Sequence, residues 1–382
     1  MSASAHAIEA EPAAKRLIRL DLPAPLEEGG LDPEERFWRD HQKWLEERGY
    51  LLRPRYRPDW VPSWEGTNRD PEECEDGLTS FYTQVMDAMR LSDGGIVILK
   101  RVAQSEHPYE AEISELFSTE PLKADPRNHC VPIHEALRSP HDEDVIILVM
   151  PCLHVFNHPR FDTVGEAVEC FRQLFEGMQF MHQHRVAHRR VDIMRANVMM
   201  DPTGLVSEPY HPLLPHLSYD GRRKVKTSTR TRHPVKYYFI DFGISRRYST
   251  DCTEPREPPI WGGVKTVPEF QHSNDPQDPF PTDIYYLGNL VREHFVEKSA
   301  AFAFMRDLVG DMVQDDPAKR PTIDEVVERF DKLRASLGER KLRSRVVHKK
   351  DSSIVGFFRT IRHVYRTTEY ILTRKPAIPT PP

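Results

Sequence analysis

From residue 85 onward the apolar positions fall first into short strand-like runs and then into helical ones. Residues 85–88 and 96–102 flank the turn-forming Asp93-Gly94-Gly95 and so predict a β-hairpin. Tyr109, Ile113, Leu116 and Phe117 recur at the spacing of one helix face. Residues 145–150 form a continuous apolar run ending at Pro151, as a buried strand does. Thr163-Val164-Gly165-Glu166 has the form of a capping box. It opens a long helix whose inward positions are Val164, Ala167, Val168, Phe171, Leu174, Phe175, Met178 and Met181. Beyond it, short strands near 198–200 and 237–240 interrupt a sequence that otherwise reads as helix and loop. The order predicts an α+β protein with a small β-rich lobe followed by a larger α-helical lobe.

Both ends add helices. Asp32-Pro33-Glu34-Glu35 supplies a cap, a first-turn proline and early carboxylates, and Gly49 a stop. Phe37, Trp38, Trp44 and Leu45 share a face, and residues 50–64 read as an extended connector. Near the other end Ile354, Phe357, Phe358, Ile361, Val364, Tyr365, Ile371 and Leu372 trace one helical stripe, with Arg359, Arg362 and Arg366 away from it. The plain expectation is that this stripe packs onto the chain's own helical lobe; the sharper alternative is a partner groove or an anionic membrane surface. Residues 377–382 are expected to fray.

Composition changes this picture in three places. The 382 residues, 38% hydrophobic, suffice for a sizeable core. The net charge of −6 hides a basic tail: residues 339–382 hold eleven Lys/Arg against three Asp/Glu, which suits an acidic partner or the chain's own acidic body. The five cysteines are scattered without a CxxC pair, which argues against a disulfide framework or a zinc site. No apolar run approaches the ~18 residues of a membrane span. The first residues lack the apolar centre of a signal peptide, so a soluble cytoplasmic or nuclear protein is expected. Nothing predicts a specific nucleic-acid partner.

The segment 237–243 ends an apolar strand in Asp241-Phe242-Gly243, and upstream stand His188-Arg189 and, further on, Asn197. Val267-Pro268-Glu269, Asp283 to Gly288, and Arg320 after Asp316-Pro317 follow in order. In these motifs the chain resembles the eukaryotic protein-kinase superfamily over about residues 85–337. Its leader and the stretch Asn128-His129-Cys130-Val131-Pro132 resemble a divergent kinase-like group of mushroom-forming fungi. The resemblance implies a bilobal fold: an extension at 1–70, an N-lobe at 71–152, a C-lobe at 153–337 with an insert at 201–236, and a tail at 338–382.

It also implies roles. Lys100 would hold the ATP phosphates, and a helix glutamate would pair with it. Glu112 is preferred here over Glu110 and Glu115. Asp241 and Asn197 would hold Mg2+, and Met150, Cys152 and Leu153 would border the adenine. His188, Arg189, Asp283 and the pair Glu269 and Arg320 would be structural. Tyr248, Ser249, Thr250 and Thr253 would be candidate phosphate acceptors near Arg189. The base is open between two counts. Asp192 lies five residues before Asn197, as the family pattern requires, whereas counting forward from His188 puts Arg190 in that position. Asp192 is preferred because base and metal ligand must face one phosphate.

Three features depart from the family. Residues 65–84 contain only Gly66 and Gly77 and hence no glycine-rich phosphate loop, Met194 replaces the usual lysine with Arg195 beside it, and the basic insert reads as a surface loop. Two functions follow as expectations. One is an ATP- and Mg2+-dependent kinase acting on a protein hydroxyl, Ser/Thr rather than Tyr. The other is a pseudokinase scaffold with an unknown protein partner.

Overall fold

Asp32 accepts the Glu35 amide at 2.7 Å while the Glu35 carboxylate takes the Asp32 amide at 3.1 Å, and this reciprocal cap starts α1, Pro33–Glu47. Gly49, at φ 90°, ends it. The computed structural model describes residues 30–80, 82–189, 197–259, 267–271 and 273–382. The described residues divide into two compact units, 30–48 with 52–79, and 49–51 with those from 80 onward. In the first unit α1 buries Trp38 and Leu45 as expected, with Phe37 and Trp44 half-buried. Its inner face also carries Glu35, whose carboxylate takes both the Nε and an Nη of Arg55 at 2.8 and 2.9 Å. A buried acid is tolerated there because a two-pronged guanidinium meets it.

The second unit is α+β. Strands β1 (Tyr50–Leu52), β2 (Val85–Arg90), β3 (Ile96–Ala103), β4 (Glu135–Arg138) and β5 (Val145–Pro151) form a sheet ordered β1-β2-β3-β5-β4. The pairs among β2, β3, β5 and β4 are antiparallel. The helix α2 (Glu110–Ser118) lies between β3 and β4 in sequence. After β6 (His154–Val155) the 20-residue α3 (Val164–Gln183) buries every inward position named above. Thr163 caps it through the Glu166 amide at 3.1 Å, but the capping box is half-made. Glu166 turns instead to the Asp162 amide and to the Thr231 amide and hydroxyl.

Short strands β7 (Val186–Ala187), β8 (Val198–Met200), β9 (Tyr210–His211), β10 (Leu214–Ser218), β11 (Tyr237–Phe239) and β12 (Arg246–Arg247) pair as β11-β8-β6, β10-β9 and β12-β7. Helices α4 (Pro279–Val291), α5 (Arg306–Met312), α6 (Ile323–Ser336), α7 (Glu339–Leu342) and α8 (Ser353–Leu372) complete the unit. Phe171 of α3 meets Phe295 edge-on at 4.6 Å, one of several aromatic contacts that knit this core.

Residues 377–380 are tied down rather than frayed. A Cβ on Gly165 would sit 1.8 Å from the Ala377 carbonyl oxygen, so only glycine admits this return of the chain, and Thr380 donates to Glu169 at 3.1 Å. Among the described residues no helix is long and apolar enough to cross a membrane.

Candidate functional site

Lys100 stands on the central strand β3, opposite Val85 of β2 and Leu148 of β5. Its ammonium donates to Asp241 Oδ1 at 2.7 Å and to Glu110 Oε1. The lysine's partner is therefore Glu110, not Glu112. Glu110 opens α2 in phase with Ile113, Ser114 and Phe117, all buried, whereas Glu112 points to solvent, 3.5 Å from Arg247. Burial pulls the Lys100 ammonium down, but Glu110 and Asp241 together outweigh it and leave its pKa above the ordinary lysine value. Burial pushes the Glu110 carboxyl up; Lys100 opposes the rise without cancelling it, and Asp241 adds to it. Glu110 Oε2 is buried without a hydrogen-bond partner. A Cβ on Gly243 would lie 3.1 Å from that oxygen, so the glycine lets the chain pass close to the acids. His107 Nδ1 donates to the Gly243 carbonyl at 2.9 Å.

Asp241 follows β11 with φ 67°, a left-handed conformation that costs a non-glycine residue about 1–3 kcal/mol. Its neighbours hold it there. The Ile240 amide donates to the Asn197 carbonyl at 2.9 Å, His188 Nε2 donates to the Ile240 carbonyl at 3.1 Å, and Phe242 packs near Phe117 and His188. Asp283, fully buried on α4, accepts from His182 Nε2 at 3.0 Å and from the His188 and Arg189 amides at 2.8 and 2.6 Å. One carboxylate thus fixes the backbone at His188 and Arg189. Asp192, Arg190, Met194 and Arg195 lie outside the described residues. Arg189 already meets Glu257 at 2.9 Å and the carbonyls of Ile244 and Pro258 at 3.0 Å. Tyr248 donates to Glu257 at 3.1 Å, while Ser249, Thr250 and Thr253 are exposed.

Glu269 and Arg320 form a buried two-pronged pair at 2.6 and 2.8 Å, with Thr282 donating to the same carboxylate at 3.0 Å. Met150, half-buried, lies opposite Ile98 at the end of β5, and Cys152 and Leu153 follow it. The Cys152 thiol donates to Tyr210 at 3.6 Å and is pushed up to about 12 by burial. The Tyr219 hydroxyl donates at 2.9 Å to Asp87, which is buried on β2 opposite Ile98. Segment 201–236 is therefore more than a surface excursion. It touches both the strand above Ile98 and the residue after β5, and Arg230 within it is buried.

Among the described residues no group of three or more His, Cys, Asp or Glu side chains is placed to hold a metal ion. Asp241 and Asn197, brought together by the Ile240–Asn197 backbone bond, offer the oxygen donors that Mg2+ prefers and keep the site compatible with it. Glu110, Asp87, Tyr210 and Tyr219 are site residues that the sequence reading did not choose. For Glu110 a signal existed, its three-residue spacing from Ile113 and seven-residue spacing from Phe117. No protein-family model matches the chain, and no curated protein matches it as a relative.

Proposed function

We propose that the second unit is a bilobal kinase-like domain that transfers the ATP γ-phosphate to a protein hydroxyl. The observation that supports this reading most is the buried Lys100 ammonium held between Glu110 and Asp241. A lysine kept protonated by two acids is a fixed cation, suited to the α- and β-phosphates of a nucleotide. Asp241 and Asn197 would hold Mg2+, which when bound neutralises charge on the transferring phosphate. Asp192, by its spacing from Asn197, would accept the proton of the attacking hydroxyl. Asp283 would act as a positioning residue, holding the amides that precede this base.

A second reading, a kinase-like scaffold with a closed nucleotide cleft, is favoured by the contacts of Tyr210 with Cys152 and Tyr219 with Asp87. In a kinase-like frame Cys152 would border the adenine, and these contacts would crowd it.

The deciding experiment combines thermal shift with Mg-ATP and transfer of radiolabelled γ-phosphate by the whole chain beside Asp241→Asn and Lys100→Met. The kinase reading expects a shift and label in the wild type, with transfer falling on the order of a hundredfold or more in either variant. Neither shift nor label in the wild type overturns it. If Tyr219→Phe combined with Tyr210→Phe then restores the shift, the closed-cleft reading stands.

A further inference from the structure

A cavity of about 150 Å3 lies away from Lys100, beside α8, between the start of α3 and the end of the 201–236 segment. Arg160, Arg230, Arg345, Arg359, Arg362 and Arg366 line it, with Asp162 and Glu166 as its carboxylates. Those carboxylates are already engaged. Asp162 takes Arg366 at 3.0 Å, and Glu166 takes the Thr231 amide and hydroxyl and the Asp162 amide. Asp351, nearby, serves both Arg160 and Arg359, at 3.1 and 2.9 Å. Among the described residues Arg345 and Arg362 have no acidic partner.

Arg230 is the most telling of the six. It is 2% exposed, its Nη groups donate to the Pro159 and Phe156 carbonyls at 2.7 and 2.8 Å, and its Nε is buried without a partner. A buried guanidinium met by carbonyls and no carboxylate is a place where an incoming anion removes a standing cost. Cavities of this size admit a benzene-sized guest, so a phosphate group fits.

The helix on the cavity's rim is turned inside out. α8 faces the body with His363, Tyr370 and Arg366 and with the Arg232–Glu369 ion pair. Its apolar stripe faces outward, with Phe357 61%, Phe358 65% and Leu372 77% exposed beside Ile354, Ile361 and Tyr365. This corrects the expectation that the stripe packs on the chain's own lobe. Arg359, Arg362 and Arg366 run along the flank between the two faces.

We propose that the cavity and the outward face of α8 together dock a membrane surface whose lipids carry phosphate-monoester headgroups. The apolar stripe enters the acyl boundary while a headgroup phosphate reaches the arginines. The two observations favour this occupant jointly. A phosphorylated peptide would use the cavity and leave the apolar face of the 20-residue helix uncovered, and a protein groove would cover that face and leave the arginines without an anion. The basic surplus of residues 339–382 adds long-range attraction of the same sign.

The test is co-sedimentation of the whole chain with vesicles of phosphatidylcholine alone, or containing phosphatidylserine or phosphatidic acid at matched charge. Thermal shift in inorganic phosphate accompanies it. Pelleting with phosphatidic acid about tenfold stronger than with phosphatidylserine is expected. Arg345→Gln combined with Arg362→Gln should lower the phosphatidic acid binding by roughly tenfold or more and erase the preference. Phe358→Asp should abolish pelleting while keeping the phosphate shift. Both variants alter side chains at least partly open to solvent, and unchanged melting without phosphate verifies their fold. Failure to pellet with any vesicle overturns the proposal, as does a lipid preference that survives the arginine changes. A phosphate shift without pelleting, or a dimer that Phe358→Asp dissolves in place of vesicle binding, also overturns it.

Discussion

Around Lys100 one buried ammonium faces two carboxylates, whereas beside α8 six arginines share a cavity with two carboxylates that are already engaged. The first cluster has a surplus of negative charge and the second a surplus of positive charge. Folding alone rewards neither the Lys100 cluster nor the buried Arg230, since an uncompensated buried charge costs free energy. Glu269–Arg320 shows the contrasting arrangement, one acid closed on one base with a threonine satisfying the remainder. Balance marks charges that serve the fold, and surplus marks charges suited to something the chain does not itself contain.

The sharpest way to break this comparison is at the balanced pair. Arg320→Ala leaves Glu269 buried and unpaired and is expected to cost about 3–5 kcal/mol in urea denaturation, with no rescue by Mg-ATP or by phosphate. A rescue by either ligand would mean that balance does not mark structural charges.

Acidification probes the arginine-rich region next. His154 is buried, with Nδ1 near the Val155 carbonyl at 3.3 Å, Nε2 unpartnered, and His158 and Arg230 as its charged neighbours. Burial chiefly, then repulsion from His158 when it is protonated and from Arg230, lowers its pKa to about 4 against the bond to Val155. The neutral ring is favoured in the native state, so its contribution is present above pH 6.5 and lost as pH falls toward 4, a change of roughly 3 kcal/mol. His154→Gln should flatten the stability profile across that window. An unchanged profile would show that burial of the ring does not penalise its charged form.

A smaller effect separates the two glutamates. Glu110→Gln should cost about 1–3 kcal/mol because it leaves Lys100 with Asp241 alone, while Glu112→Gln should stay within about 0.5 kcal/mol. The reverse order of melting temperatures would restore Glu112 as the lysine's partner. Tyr219→Phe is expected at about 1 kcal/mol for the lost bond to Asp87, measured by the same denaturation.

The hairpin, α3 and the position of Asp241 were legible because each rests on local pattern: a turn flanked by apolar runs, a helical stripe, a strand closed by Asp-Phe-Gly. Glu112 was chosen over Glu110 by its nearness to Ile113 in sequence, whereas the decisive quantity was phase around the helix. The direction of the α8 stripe was not legible, since periodicity shows that a face exists but not which side meets the body. Thr229-Arg230-Thr231 reads as a polar loop, and its burial depends on Glu166, Phe156 and Tyr370, far away in sequence. Long-range partners of this kind leave no local trace. Asp192 and Arg190 fall outside the described residues.

The return of the chain over Gly165 has a consequence for kinetics. With Asp351 pinned by Arg160 before α8 and Ala377 and Thr380 pinned on α3 after it, the helix is a strap fastened at both ends. A free tail that folds on contact loses conformational entropy at the moment of association, about 1–2 kcal/mol for each residue ordered. A fastened strap has met that cost during folding of the domain. It presents its apolar face as a rigid body, and its encounters are governed by collision and orientation rather than by a search through chain conformations.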